Sequence, residues 1–213
     1  MSRPDRVSLF WVPLQCAAAP DIACGGRAKP ILLALEGDPT ISEAWVNRAG
    51  TVLAVVGSEA SSRESRAVAI QSLLEKIFER KVATEIDGEA RQTELVSFLS
   101  GRDWYRGPQA DDLSQEEFAI IATRLVGRMQ ARVAVSAVQA KALAAGFAEV
   151  FTRRYLHRSE LKTERQRKER LTQERAAIAE ELATVVREHL DEARVSAIED
   201  AVTEGFAPLP GEN

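Results

Sequence analysis

Residues 1–87 alternate between short apolar segments with the two-residue period of strands and longer segments with the period of helices. The predicted elements are, in chain order, a strand at 6–14, a helix that ends at Gly37, strands at 41–47 and 51–57 joined by the turn Arg48-Ala49-Gly50, a helix that begins at a capping box of Ser61 and Glu64, and a strand at 81–87. Right-handed crossovers fold the order βαββαβ into a four-stranded antiparallel sheet with two helices on one face.

This order predicts an α+β protein whose first domain, residues 1–88, is a ferredoxin-like βαββαβ sandwich. After Gly88 the pattern changes, and residues 89–112 are predicted to form a short helix followed by a polar linker. Residues 113–208 carry almost continuous helical periodicity and are predicted to form an all-α domain, with a flexible tail at 209–213. A capping box of Ser114 and Glu117 is predicted to begin its first helix.

The helical domain contains a short internal repeat. VSAVQAKALAAGF (135–147) recurs as VSAIEDAVTEGF (195–206), and each copy follows a helical segment. In each copy a serine, Ser136 or Ser196, stands three residues before Gln139 or Glu199, as in a capping box. The repeat predicts two related helical hairpins that stack as a bundle.

Composition excludes several classes of protein. The chain has 213 residues with 28 Lys and Arg against 32 Asp and Glu, and a net charge of -4 argues against a protein dominated by binding to nucleic acid or an anionic membrane. No apolar segment has the roughly 20 residues that a membrane helix needs. Two cysteines exclude a disulfide-stapled scaffold and suit a reducing compartment, so a cytoplasmic location is expected. The chain has two histidines, and no arrangement of nucleophile, base and acid is readable, so catalysis is not favoured.

The segment 152–175 is strongly basic, with nine basic and four acidic residues. Leu161 and Leu171 alone interrupt its polar run from position 158, which predicts an exposed helix. One interpretation is a solvated surface with ion pairs between neighbouring turns. The other is a docking strip for an acidic partner or nucleic acid, with Arg165, Arg167, Lys168 and Arg170 as binding residues, although the negative remainder of the chain opposes nucleic acid.

Both cysteines, Cys16 and Cys24, lie in the predicted connection from the first strand to the first helix. Cys24 stands at the start of that helix, where the helix dipole and free backbone N–H groups lower the pKa of a thiol. Thiolates bind soft ions, so the two cysteines are a candidate site for Cu(I) or Zn(II). A thiol-dependent redox enzyme is an alternative, in which Cys24 is the attacking thiolate and Cys16 the resolving thiol.

Two further interpretations of this loop remain open. The segment CGGRAK places Gly25, Gly26, Arg27 and Lys29 at a helix N-terminus, where they are candidates to bind phosphate or carboxylate. It lacks the spacing of the known nucleotide-binding loops. The other interpretation is structural, with a plain turn before the helix and an ordinary buried thiol at Cys16.

The strand order, the thiols in the first connection and the hairpin EAWVNRAGTVLAVV resemble the heavy-metal-associated domain of copper and mercury chaperones, over residues 5–87. The resemblance implies soft-metal binding, with Cys24 as the cysteine nearest the helix and Lys81 near the metal. The chain departs from that family because it lacks the Met-x-Cys-x-x-Cys loop, and Cys16 lies too far upstream to match its first cysteine.

These observations together predict a non-enzymatic accessory or adaptor protein that senses or carries a thiophilic metal. The helical region is expected to provide a surface for a protein partner or for a homodimer. Trp45, predicted on the uncovered face of the sheet, is a second candidate for partner binding, or else packs against neighbouring strands. The alternative is a metal-free interaction module that uses this sheet face and the basic segment.

Overall fold

The computed structural model of the chain describes residues 4–211, which form two compact units. Unit 1 comprises the residues up to Cys16, Pro20–Leu113 and Ser159–Gln166. Unit 2 comprises Ala17–Ala19, Ser114–Arg158 and the residues from Arg167 onward. Each unit has an apolar core of its own.

Unit 1 is built around an antiparallel sheet with the strand order β4-β1-β3-β2-β5. Its strands are β1 (Val7–Trp11), β2 (Ile41–Asn47), β3 (Val52–Gly57), β4 (Thr84–Glu85) and β5 (Trp104–Tyr105), and its helices are α1 (Gly25–Glu36), α2 (Arg63–Phe78) and α3 (Gly88–Leu99). The predicted hairpin is confirmed, since β2 and β3 pair in the register Trp45↔Ala54. The predicted end of the first helix is also confirmed, because the N–H of Gly37 donates to the Leu33 carbonyl.

Both faces of the sheet are buried. Leu53 of β3 belongs to a core with Ile31 of α1 and Ile70 of α2. Ala54, the next residue along β3, belongs to a second core with Phe98 of α3. Because alternate residues of a strand point to opposite faces, α3 covers the face that the sequence left uncovered.

Three local predictions in this part of the chain are wrong. Helix α2 is capped by Ser62, whose hydroxyl accepts from the Ser65 N–H, because the Ser61 hydroxyl instead donates to the Ser58 carbonyl. Of the strand predicted at 81–87, only β4 (Thr84–Glu85) forms, and α3 begins at Gly88. The segment predicted as a linker contains β5 and the start of the next helix.

Unit 2 is helical, with a core of large apolar side chains from four helices. The helices are α4 (Ala110–Gln130), α5 (Ala137–Tyr155), α6 (Glu164–His189) and α7 (Val195–Thr203). The capping box of Ser136 and Gln139 is confirmed at α5. The boxes at Ser114 and Ser196 are wrong, because each serine lies inside a helix that begins earlier. Among the described residues, none of the helices has the length and apolar character needed to cross a bilayer.

The basic segment is not a single helix. Helix α5 ends at Tyr155 and α6 begins at Glu164, so a non-helical connection divides the segment. Arg158 within this connection and Arg170 on α6 both bind the Glu174 carboxylate, at 3.0 and 2.9 Å. Several charges of the segment are therefore compensated within the protein, as the interpretation of a solvated, ion-paired surface predicts.

Candidate metal centre

The connection between β1 and α1 folds back on itself through a short antiparallel bridge. Gln15 pairs with Ala23, the Cys16 N–H donates to the Ile22 carbonyl at 2.9 Å, and the Cys24 N–H donates to the Leu14 carbonyl at 2.8 Å. Cys16 and Cys24 each follow one residue of the bridged pair. Neighbouring residues in extended backbone point to opposite faces, so both cysteines lie on the face opposite to Gln15 and Ala23.

This backbone arrangement brings the two sulfurs together. The Sγ atoms of Cys16 and Cys24 lie within 4.8 Å of each other, and neither cysteine is in a disulfide. Cys16 is buried, with 4% of its surface exposed, and Cys24 is half-buried. Two metal–sulfur bonds of about 2.3 Å span at most about 4.6 Å, so the pair needs little movement to hold one ion.

Cys24 is the N-cap residue of α1, as the sequence predicted. Its backbone is extended, with φ -72° and ψ 100°, and its carbonyl accepts from the N–H groups of Arg27 and Ala28 at 3.0 and 2.8 Å. Its thiol therefore projects from the end of the helix where the backbone dipoles place partial positive charge. That position favours the anionic form of a thiol, which is the form that binds metal.

The turn between β2 and β3 is hydrogen-bonded to the connection that carries Cys16 and Cys24, which we call the cysteine loop. The N–H of Leu14 donates to the Gly50 carbonyl at 2.9 Å, and the N–H of Ala23 donates to the Arg48 carbonyl at 2.6 Å. Gly50 has φ +71°, a conformation that glycine adopts without strain. The sequence predicted a turn at Gly50, but no pattern in it indicated that this turn would form hydrogen bonds with the cysteine loop.

The residues proposed for anion binding are engaged with the protein itself. Lys29 Nζ lies 2.7 Å from both carboxylate oxygens of Asp111. Arg27 donates to the Pro13 carbonyl at 3.2 Å and lies 3.6 Å from the Glu164 carboxylate. An anion at the start of α1 therefore competes with two carboxylates for these cations. Anion binding by Gly25, Gly26, Arg27 and Lys29 stays a prediction.

The residues proposed for partner binding make contacts inside their own unit. The Trp45 indole N–H donates to Glu43 at 2.9 Å, and its ring packs edge-on against Phe98 at a centroid distance of 6.0 Å. Arg165 lies 3.7 Å from Glu79 and is largely exposed. Arg167 is half-buried and Lys168 is exposed on the same helix. Partner binding through these side chains stays a prediction.

No protein-family model, curated protein or solved structure matches this chain. The resemblance to heavy-metal-associated domains stays a prediction from the sequence. The case for a metal centre consequently depends on the position, burial and chemistry of Cys16 and Cys24.

Proposed function

We propose that this protein carries or senses a thiophilic metal ion, Cu(I) or Zn(II), which Cys16 and Cys24 bind together. One observation carries the proposal: the two sulfurs lie within 4.8 Å of each other on one side of a hydrogen-bonded bridge. Soft sulfur ligands select soft or borderline ions over Mg²⁺ or Ca²⁺, which prefer oxygen.

The two thiols are buried to different extents, and we assign them different roles in metal binding. Cys24, half-buried at the start of α1, is the thiol that an arriving ion or carrier reaches first. Cys16 is buried and supplies the second sulfur from a position with little access for water. The hydrogen bonds on both sides of the bridge hold the two backbones, so binding requires side-chain rotation rather than loop rearrangement.

We propose in addition that β1 to β4 with α1 and α2 form a ferredoxin-like unit. The strand order β4-β1-β3-β2 and the antiparallel pairing of every neighbouring pair support this. In this chain β5 extends the ferredoxin-like part at one edge of its sheet, and α3 covers the second face of that sheet. The resemblance to heavy-metal-associated domains stays a prediction from the sequence, and the cysteine spacing of that family is missing.

A thiol-disulfide function is the second candidate, and the same short distance favours it. A disulfide requires a sulfur–sulfur distance near 2.05 Å, together with backbones close enough for that bond. Cys16 and Cys24 are diagonal rather than directly opposite across the bridge, which places their backbones farther apart than those of a bridged pair. A bridging ion accommodates this offset more easily than a direct bond does.

Titration of the reduced protein with Cu(I) in the presence of a chromophoric chelator tests the proposal. The expected result is one ion per chain, with binding lost when both cysteines are changed to serine. A sharper control keeps two thiols but moves one: the double variant Cys24→Ser, Gly26→Cys. A Cβ at Gly26 meets nothing within 4 Å, so this variant fits the fold, yet positions two residues apart on a helix face different directions.

The proposal predicts that this relocated thiol does not restore binding. Equal affinity in the wild-type protein and in either variant would contradict a site made by Cys16 and Cys24. The disulfide alternative is tested on the same samples without metal, by counting thiols after treatment with a diazene oxidant. Rapid loss of both thiols as an intramolecular bond, combined with absence of Cu(I) binding, would favour the second candidate.

A further inference from the structure

An arginine in the first turns of α2 is buried in unit 1 without a carboxylate in contact with it. Arg66 has 3% of its surface exposed. Its Nε donates to the Ser8 hydroxyl at 3.1 Å, and its Nη1 donates to the carbonyl and the hydroxyl of Ser61, both at 3.2 Å. All three acceptors are neutral, and Arg66 forms no ion pair with any residue that the structure describes. Its positive charge is therefore not neutralised by direct contact with an acid.

A charge buried in this way is unfavourable unless an opposite charge compensates it. Burial accordingly lowers the pKa of Arg66, and the effect of burial exceeds that of the nearby Glu85 carboxylate, which raises it. The positive charges of Arg6 and Arg63 lower this pKa further. Glu85 is itself bound to Arg63, whose Nε lies 2.6 Å from the carboxylate oxygen. Arg66 thus lacks a counter-ion of its own within the described part of unit 1.

A second arginine approaches the first at Gly57, the last residue of β3. The Arg6 Nε donates to the Gly57 carbonyl at 2.9 Å, and Arg6 also forms no ion pair with a described residue. The Arg66 side chain lies against the same glycine, because a Cβ at position 57 would come within 2.5 Å of Arg66 Nη1. Glycine at this position therefore allows two guanidinium groups to approach one residue from different sides.

Each of these arginines keeps a nitrogen that is not engaged within the described chain. The hydrogen bonds of Arg66 use Nε and Nη1, and its Nη2 keeps contact with solvent. The hydrogen bonds of Arg6 use Nε and Nη2, which leaves Nη1. The adjoining loop lies at the surface, since Glu59, Ala60 and Ser62 are exposed. A small anion can therefore reach both guanidinium groups from solvent.

We propose that Arg6 and Arg66 form a binding site for a phosphate group, either inorganic phosphate or the phosphate of a monoester. Such a dianion supplies the opposite charge that the buried guanidinium lacks, and its oxygens accept from the free nitrogens of both arginines. Arginine suits this ligand because its planar donors match the spacing of phosphate oxygens. The site lies within unit 1 and uses neither cysteine, so it does not depend on the proposed metal function.

Isothermal titration calorimetry of the full chain tests this site, with inorganic phosphate and O-phosphoserine as the two probes and with chloride holding the ionic strength constant. Wild-type protein is expected to bind one phosphate group per chain. Arg66→Met is expected to weaken binding by about tenfold or more, since it removes a hydrogen bond between charged groups at a buried position. Arg6→Met is expected to weaken it by about three- to tenfold, because Arg6 is half-buried and solvent screens its charge more.

Lys76→Met is the matched control for charge. It removes one positive charge from an exposed position in the last turn of α2, so wild-type affinity is expected. A loss of affinity equal to that of Arg66→Met would overturn the site, because binding would then follow net charge alone. Saturable binding of one probe in preference to the other supports the site and identifies the source of the phosphate group. Absence of saturable binding of both probes would overturn it.

Thermal unfolding of the same proteins gives a second readout and shows which variants are folded. Phosphate is expected to raise the Tm of wild-type protein and of Lys76→Met, because a ligand that binds the folded state stabilises it. It is expected to leave the Tm of Arg66→Met unchanged, and an equal rise in this variant would overturn the site. If Arg66→Met does not fold, Arg6→Met decides the question, since wild-type affinity in that variant would overturn the site.

Discussion

The backbone of Gly50 lies directly against that of Leu14. A Cβ atom added to Gly50 would come within 2.7 Å of the Leu14 carbonyl carbon and oxygen. That same carbonyl accepts the N–H of Cys24, so one tight backbone contact lies behind the bridge that positions both thiols. The identity of a turn residue thus bears on the geometry of the candidate metal centre.

Gly50→Ala is expected to disturb the cysteine loop as well as the turn. Positive φ costs a non-glycine residue about 1–2 kcal/mol, and the contact with Leu14 forces a further shift of the loop backbone. We expect a lower free energy of unfolding in urea, together with at least a tenfold loss of Cu(I) affinity, because the sulfurs move apart.

Gly101→Ala is the matched control for this substitution. Gly101 has φ +70°, close to the value at Gly50, but a Cβ there meets nothing within 4 Å. The two variants are expected to share the cost of the positive φ, while only Gly50→Ala loses metal affinity. Equal loss of affinity in both variants would show that the Gly50–Leu14 contact does not govern the loop.

Glu174 makes the stability of unit 2 depend on pH. Burial acts to raise the pKa of this carboxyl, but hydrogen bonds and charge from Arg158 and Arg170 outweigh it and hold the pKa at about 2. A carboxyl with a lowered pKa stabilises the fold fully above its unfolded value near 4.5, and this stabilisation is lost as pH falls toward 2. Glu174→Gln is expected to cost about 1–3 kcal/mol at pH 7, and progressively less at lower pH.

Urea unfolding of wild-type protein and Glu174→Gln at pH 7, 5, 4 and 3 measures this difference. Glu169→Gln serves as the control, because Glu169 lies on the same helix and is exposed. A difference in the free energy of unfolding between wild-type protein and Glu174→Gln that stays constant over this pH range would contradict the lowered pKa of Glu174.

Arg128 is a buried cation that satisfies backbone carbonyls after helix α7. Its guanidinium donates to the Gly205 carbonyl at 2.5 Å and to the Ala207 carbonyl at 2.8 Å, and 4% of its surface is exposed. The carboxyl end of a helix carries unsatisfied carbonyls and partial negative charge, which a cation stabilises. Arg128→Met is expected to lower the free energy of unfolding by about 2–4 kcal/mol, since buried acceptors lose their donors.

Arg132→Met is the comparison for Arg128, since Arg132 binds Glu204 from a more exposed position and is expected to cost less than about 1 kcal/mol. Thermal unfolding followed by circular dichroism measures the loss of stability caused by each of the two substitutions. An equal loss of stability in the two variants would show that the burial of Arg128 adds nothing to the free energy of unfolding.

Local sequence patterns were sufficient to predict elements whose residues are close neighbours in the chain. The β2–β3 hairpin, the end of α1 at Gly37 and the cap of α5 at Ser136 all follow from short-range hydrogen bonding. The same rule failed at Ser114 and Ser196, where helices begin earlier than their serines. A Ser with a Glu three residues later fits a helix start, but neighbouring turns decide whether the helix has already begun.

Features that depend on distant contacts could not be predicted. The sequence placed Cys24 at a helix start, yet the approach of Cys16 requires the Gln15–Ala23 bridge and the support of Gly50, which no local periodicity indicates. The covering of the second sheet face by α3 likewise depends on where the chain turns after Gly88.

The most direct test is X-ray absorption spectroscopy at the zinc edge of protein loaded with one equivalent of Zn(II). It measures which atoms bind the zinc and at what distance. If Cys16 and Cys24 bind the same ion, the spectrum contains a shell of two sulfur atoms at about 2.3 Å from the zinc. A first shell made of nitrogen and oxygen alone, or one with a single sulfur, would contradict a shared dithiolate site.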